Sequence, residues 1–291
     1  MKIKPTKSER AFDIVNTIIM ITVVIICLYP LWYVLVASLS DGNLVSQGKV
    51  TLWIKGFNVD AYKKALATPY MGSAYANTVF YSFAGVALSM IFTALGAYPL
   101  SKKRLRGRKI LTIFITFTMW FNAGLMPTFI TYRAYGLLDT RLGVLASGLV
   151  STFYVMIMRN SFEAVPDALE ESMKLDGASD FKVFWHIYLP LCVPTLMTLT
   201  LYYFVQRWNT YFWPMIILQT EELVPLQVIL KKLVVEMSGL YENMNEMDVT
   251  TITKENMVYA TMTLAVVPML LLYPFIQRFF VKGITVGAVK G

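Results

Sequence analysis

Six stretches of this sequence are almost free of charge, and their lengths suit the lipid bilayer. Ile14 to Ser40, Ala65 to Ser101 and Ile110 to Tyr132 contain no charged residue, and neither does the shorter Leu142 to Met158. Val183 to Gln206 holds only His186; Arg207 then interrupts an apolar run that continues to Thr220, and Met257 to Gln277 closes the set. About 20 such residues in a helix cross roughly 30 Å of hydrocarbon. In lipid every backbone polar group must be satisfied within the protein, which leaves helices or closed barrels. The ten-residue alternation of a barrel strand is absent, so the expected fold class is all-α, a polytopic membrane protein with six transmembrane helices. Composition agrees: 56% of the 291 residues are hydrophobic and 15% charged, against about 25% charged in soluble domains.

The charges lie between the runs, and their asymmetry predicts orientation. Lys and Arg number sixteen on the side of the N-terminal tail, the 102–109 connection, the fourth-to-fifth connection and the C-terminal tail, and nine on the other. The excess puts both termini in the cytoplasm. The net charge of +8 thus reads as an orientation signal and membrane lipid as a partner, with no nucleic acid implied. The first run is longer than a signal-peptide core and no small-x-small cleavage site follows it, so it reads as a retained anchor. Cys27 and Cys192 fall in apolar runs and read as packing residues.

The connection from Arg159 to Pro190 reads RNSFEAVPDALEESMKLDGASDFKVFWHIYLP. Pro166 is placed as the first residue of a helix whose positive end Asp167, Glu170 and Glu171 complement. Gly177 supplies the left-handed stop. Phe181, Phe184, Trp185 and Tyr188 then recur at helical spacing, predicting a second, amphipathic helix with one aromatic stripe.

This stretch resembles the EAA loop of the permease subunits of ABC importers, in which E-A-A is followed after three residues by Gly and after nine more by I-x-L-P. Here Glu171, Ser172 and Met173 stand for E-A-A, followed by Gly177 and then Ile187, Leu189 and Pro190, with every spacing kept. AYPLSKKRLRGRK, GLMPTFI, GLLDTRLG, RWNTYFWP and FVKGITVGAVKG are similar to the maltose-type, carbohydrate-uptake subfamily of these binding-protein-dependent permeases. The resemblance implies the type I ABC importer architecture, a second permease subunit of a different sequence, two ATPase subunits and an extracytoplasmic solute-binding protein. It also implies that Glu170, Glu171, Ser172, Met173, Asp176, Gly177 and Ala178 couple to an ATPase, with Gly177 as the hinge, while Ile187, Leu189 and Pro190 close the loop. The C-terminal tail 282–291 either frays or reaches between the ATPases. The expected organisation is a tail, first helix and first outer loop over 1–71, then a permease domain over 72–281 that carries the loop at 163–190.

Intramembrane charge is costly, which singles out Arg207. Either it snorkels to the outer interface, or it pairs with the companion permease or meets an anionic group such as a uronate. Trp208 and Asn209 beside it, with Trp120 and Asn122 in the third run, are the other candidates for a sugar pathway, since rings cover apolar sugar faces and amides bond hydroxyls. Interface anchoring explains the aromatic residues equally well.

With one histidine and no metal-binding or nucleophile motif, the chain does not read as an enzyme. The phosphate-cradling G-x-x-x-x-G-K-[ST] is absent, so ATP and Mg belong on partner subunits and this chain is expected to bind no cofactor. The alternatives are an ABC permease for a non-sugar solute (amino acid, polyamine or phosphate) and a secondary transporter. The latter commonly needs an acidic residue within the spans, and none is present. The acidic outer loop 219–256 is the candidate landing surface for the binding protein.

Overall fold

The computed structural model describes residues 7–240 and 256–271, and among these every regular element is a helix. In chain order they are α1 (Lys7–Ser38), α2 (Gly42–Ser46), α3 (Asp60–Leu66), α4 (Met71–Ser101), α5 (Arg108–Trp120), α6 (Leu125–Ala134), α7 (Arg141–Ala146) and α8 (Thr152–Glu163). They continue with α9 (Asp167–Leu175), α10 (Asp180–Val183), a π-helical turn (Phe184–Tyr188), α11 (Leu189–Leu191), α12 (Val193–Trp208), α13 (Phe212–Ile217), α14 (Leu226–Leu240) and α15 (Asn256–Leu271).

The described residues divide into two units, 7–69 with 232–240 and 256–267, and 70–231 with 268–271. In the first, α1 is apolar all round and exposed along most of its length, as a helix solvated by lipid would be. Its C-terminal carbonyls are not left open. Asn256 Nδ2 donates to the carbonyls of Ala37 and Ser40 at 3.0 and 2.8 Å, and the Ser38 hydroxyl meets that of Tyr62 at 2.6 Å.

In the second unit α4 is the central column. Its buried face is built from small residues, among them Ala74, Ser82, Gly85, Ser89, Thr93, Ala94 and Ala97, which let α8 and α12 pack closely against it. Among the described residues only α1 and α4 are single helices long and apolar enough to span a bilayer. The third run breaks into α5 and α6, bent by 114°, and the fifth bends by 81° where α10–α11 meets α12. The fourth run is α7 and α8, separated by residues 147–151. Hydropathy measures composition over a window and does not register such breaks.

A break inside an apolar domain frees backbone groups, and α12 satisfies those between α7 and α8. The Tyr203 hydroxyl accepts from the Ser151 N–H at 3.0 Å and meets the Thr93 hydroxyl at 2.7 Å. Arg207 donates to the carbonyls of Val144, Leu145 and Ser147 at 3.2, 3.0 and 2.7 Å. At the other end of α7, Gly143 lies so close to the preceding turn that a Cβ would sit 2.1 Å from the Leu137 carbonyl oxygen. Because backbone cannot swing aside, Gly143→Ala should destabilise the protein by about 1–3 kcal/mol. A thermal melt of the detergent-purified variant, with Gly72→Ala in open space as control, measures it.

Candidate functional site

The loop expected to carry the chemistry folds as two short helices around a fixed corner. Helix α9 starts one residue later than the sequence suggested, with Pro166 as its cap at φ −61°, ψ 128°. Asp167 and Glu170 lie in its first turn and Lys174 in its last, complementing the helix dipole. At its end the Gly177 N–H donates to the Lys174 carbonyl and the Ala178 N–H to that of Met173, both at 3.0 Å. This is the paired arrangement that terminates helices through a left-handed residue, and Gly177 has φ 78°. No atom lies within 4 Å of a Cβ built on Gly177, so dihedral strain of about 1–2 kcal/mol and not crowding restricts that position within the chain. Ser179 then caps α10, its side chain accepting from the Lys182 N–H.

Beyond α10 the expected single stripe divides. The π-turn widens the helix, so Phe184 and Tyr188 point inward while Phe181 and Trp185 stay exposed and stack on each other. The inward pair enters a core formed with Ala94, Ala97 and Leu100 of α4 and Val155, Met158 and Phe162 of α8. Tyr98 of α4 meets the Phe184 and Tyr188 rings at 4.9 and 5.1 Å. Leu169 and Leu175 of α9, the latter 90% accessible, are exposed as well, and with Phe181 and Trp185 they are the apolar crest that the loop leaves uncovered.

The sequence-predicted coupling residues separate in the same way. Glu171, Ser172, Asp176 and Gly177 are exposed, and Met173 and Ala178 are half-buried against the core. Ile187 and Leu189 are half-buried too, while Pro190 is exposed. Glu170 is the exception. It is turned inward and 6% accessible, so its side chain is not a surface contact. One carboxylate oxygen pairs with Lys102 and accepts from the Tyr188 hydroxyl at 2.7 Å. The other lies 2.9 Å from both Arg104 and Lys174. The Lys102 ammonium also stands over the rings of Tyr188 and Tyr98, 3.6 and 4.3 Å from their centroids, a favourable placement for a cation.

Lys102, Tyr98 and Tyr188 were not among the predicted site residues. The available signal was the spacing of Tyr98 and Lys102, four apart at the end of a span, matched by Glu170 and Lys174 four apart on α9. Lys102, Tyr188, Glu170 and Lys174 line a cavity of about 240 Å³ with Asp167, Glu171 and Lys103. Among the described residues no group of three or more potential ligands could hold a metal ion.

The predicted pathway residues are not gathered into one site. Arg207 is buried, 6% accessible, with its guanidinium on three carbonyls and on the Ser89 hydroxyl at 3.3 Å. Its guanidinium is held inside the chain, where it caps α7. Gly85 provides the space, since a Cβ there would fall 2.9 Å from Nε. Trp208 is buried and stacked on Phe204, and Asn209 caps its own helix through the Val205 carbonyl. Only Trp120, 83% accessible, and Asn122 stand together, at the bend between α5 and α6, where Asn122 Oδ1 accepts from the Gly124 N–H. Cys192 is buried as expected, whereas Cys27 lies on the exposed surface of α1. The C-terminal tail and residues 241–255 of the outer loop lie outside the described residues.

Burial opposes the charge on Glu170, but hydrogen bonds from Lys102, Lys174 and Tyr188 outweigh it and hold the carboxyl at about 2, below its ordinary 4.5. A carboxyl depressed on folding stabilises fully above its unfolded value and loses that contribution as pH falls through its folded one. Amide protection over residues 167–176, corrected for intrinsic exchange, should therefore be equal at pH 8 and pH 5 and decline below about pH 4. Hydrogen exchange measures this, and a decline already between pH 7 and pH 6 would be the contrary result.

Residues 85–286 match the model of the family described as binding-protein-dependent transport system inner membrane component. The chain is 35% identical over 284 residues to the polygalacturonan/rhamnogalacturonan transport system permease protein YtcP of Bacillus subtilis (strain 168), covering 97% of this chain and 99% of that one. It is 25% identical over 288 residues to the lactose transport system permease protein LacG of Rhizobium radiobacter, covering 98% and 99%. Among solved structures it is similar to a chain of a bacterial ABC transporter involved in the import of the acidic polysaccharide alginate, with a TM-score of 0.84, 39% identity and coverage of 96% and 100%. The chain belongs to the binding-protein-dependent transport system inner membrane component family, the multi-pass permease subunits of bacterial ABC importers.

Proposed function

We propose that this chain is one permease subunit of an importer that takes up an acidic oligosaccharide. The observation that carries this reading is its near full-length similarity to two proteins whose names specify uronate-bearing polymers. It is a transport subunit and not an enzyme. ATP and Mg act on two partner ATPases, a second permease completes the pathway, and an extracytoplasmic binding protein delivers the solute to the outer loops. In this reading the polypeptide crosses the membrane six times, α5–α6 and α10–α12 being bent crossings, with both termini and the 163–190 loop in the cytoplasm. The exposed crest of Leu169, Leu175, Phe181 and Trp185, with Glu171, Ser172 and Asp176, forms the ATPase-facing surface. Trp120 and Asn122 at the bend are the stronger candidates for solute contact, with Arg207 and Trp208 supporting the pathway from behind. A permease for amino acids, polyamines or phosphate is not favoured by these relatives.

Purification of the tagged chain from native membranes should recover an ATPase and a second permease. Reconstituted with its binding protein, the complex should import oligogalacturonate in an ATP-dependent manner and leave maltotriose outside. A solitary chain that still transports would point to a secondary carrier. Gly177→Asp should insert normally and abolish uptake. Since the space around Gly177 is open within the chain, normal uptake in that variant would remove the docking surface. Ser179→Cys should react with a membrane-impermeant maleimide only from the cytoplasmic side; labelling only from outside would overturn the orientation.

A further inference from the structure

Gly177 looks like a joint in the sequence, yet the side chains around it leave the loop little freedom to bend there. Lys174 spans the corner, its ammonium 2.9 Å from Glu170 on α9 and 2.9 Å from Asp180 on α10. Each of those carboxylates is also held by the end of α4 and the residues following it. Glu170 pairs with Lys102 and Arg104, and Asp180 pairs with Arg104 at 2.7 Å. The Tyr98 hydroxyl donates to the Asp180 backbone carbonyl at 3.2 Å. Below these charges Phe184 and Tyr188 are packed on Tyr98.

The strengths of these links differ. Asp180 and Arg104 are more than half exposed, and pairs of that kind contribute little. The side chains of Lys102 and Glu170 are 11% and 8% accessible, and the Lys102 ammonium lies over two rings. Breaking a buried pair strands a charge, so this link resists separation far more than the exposed ones.

We propose that Glu170 is a positioning residue that locks α9, the Gly177 corner and α10 into one rigid elbow fixed to the end of α4. A push on the exposed crest is then delivered to α4, and through its small-residue face to α8 and α12, rather than being absorbed at the glycine. The proposal rests on the importer reading above and adds where the force goes. Glu170 does not meet the ATPase; it prevents the ATPase-facing surface from moving independently.

The experiment uses the complete importer in lipid nanodiscs or vesicles and reads solute imported per ATP hydrolysed. E170Q and K102Q should each retain the ATPase on purification yet lower that ratio at least tenfold. The double variant should be no worse than either single one, because both remove the same link. K102R, which keeps the charge and the ring contact, should restore most of the ratio. Y188F removes only the hydroxyl bonded to Glu170; its ratio should fall severalfold, and it carries the test should E170Q be poorly recovered. A wild-type ratio in E170Q and K102Q, or in Y188F where E170Q is not recovered, overturns the proposal. So does loss of the ATPase from an E170Q complex that is otherwise intact. If the wild-type complex itself fails to couple ATP to uptake, it is the importer reading that fails.

Discussion

A carboxylate buried beneath the loop, with Lys102 on one oxygen, Arg104 and Lys174 on the other and a tyrosine hydroxyl beside them, is the contact on which the 163–190 segment depends. Without it, α9 and the corner after it would meet the rest of the unit mainly through Met173 and Ala178, both only half-buried. Burying such charges costs several kcal/mol per ion, so the cluster is a weak source of net stability. What it provides is a single arrangement, because removing one partner leaves others uncompensated at a cost on the order of 3–5 kcal/mol. In the proposed coupling role that property matters more than a low free energy. The aromatic packing of Tyr98, Phe162, Phe184 and Tyr188 supplies the apolar floor that keeps water from the charges.

The division of the aromatic stripe follows from one local distortion. A regular helix over 181–188 would set all four rings along one side. The π-turn at Phe184–Tyr188 adds a residue to the circuit, just before Pro190, which has no N–H to donate. Phe184 and Tyr188 then enter the core, and Phe181 and Trp185 remain outside as a surface that nothing among the described residues covers. One segment thereby anchors the loop and leaves an apolar face exposed.

How much of this could be read from the residues varies with the range of the physics. The Gly177 stop was legible because a helix end is a local event: a left-handed residue and two hydrogen bonds within five positions. The apolar runs were legible because burial in lipid is a property of composition. The inward turn of Glu170 was not, since its partner Lys102 is 68 residues away and read only as part of an orienting cluster. The breaks in the third, fourth and fifth runs escaped for a related reason. An apolar window has the same hydropathy whether it is straight or folded through 114°.

Arg207 shows why a charge inside an apolar span is not sufficient to mark a solute site. A break in a membrane helix exposes carbonyls that have no water to turn to, and each would cost several kcal/mol unpaired. A guanidinium has five donors in a rigid fork and can serve several carbonyls from one position, as Arg207 does for Val144, Leu145 and Ser147. Lysine, with a single ammonium, could not reach the same spread. No carboxylate pairs with Arg207 among the described residues, so the positive charge is met only by dipoles and its field extends into the surrounding apolar domain. In a low dielectric such a field acts over longer distances than in water. One buried cation can thus be fully employed in capping a helix break.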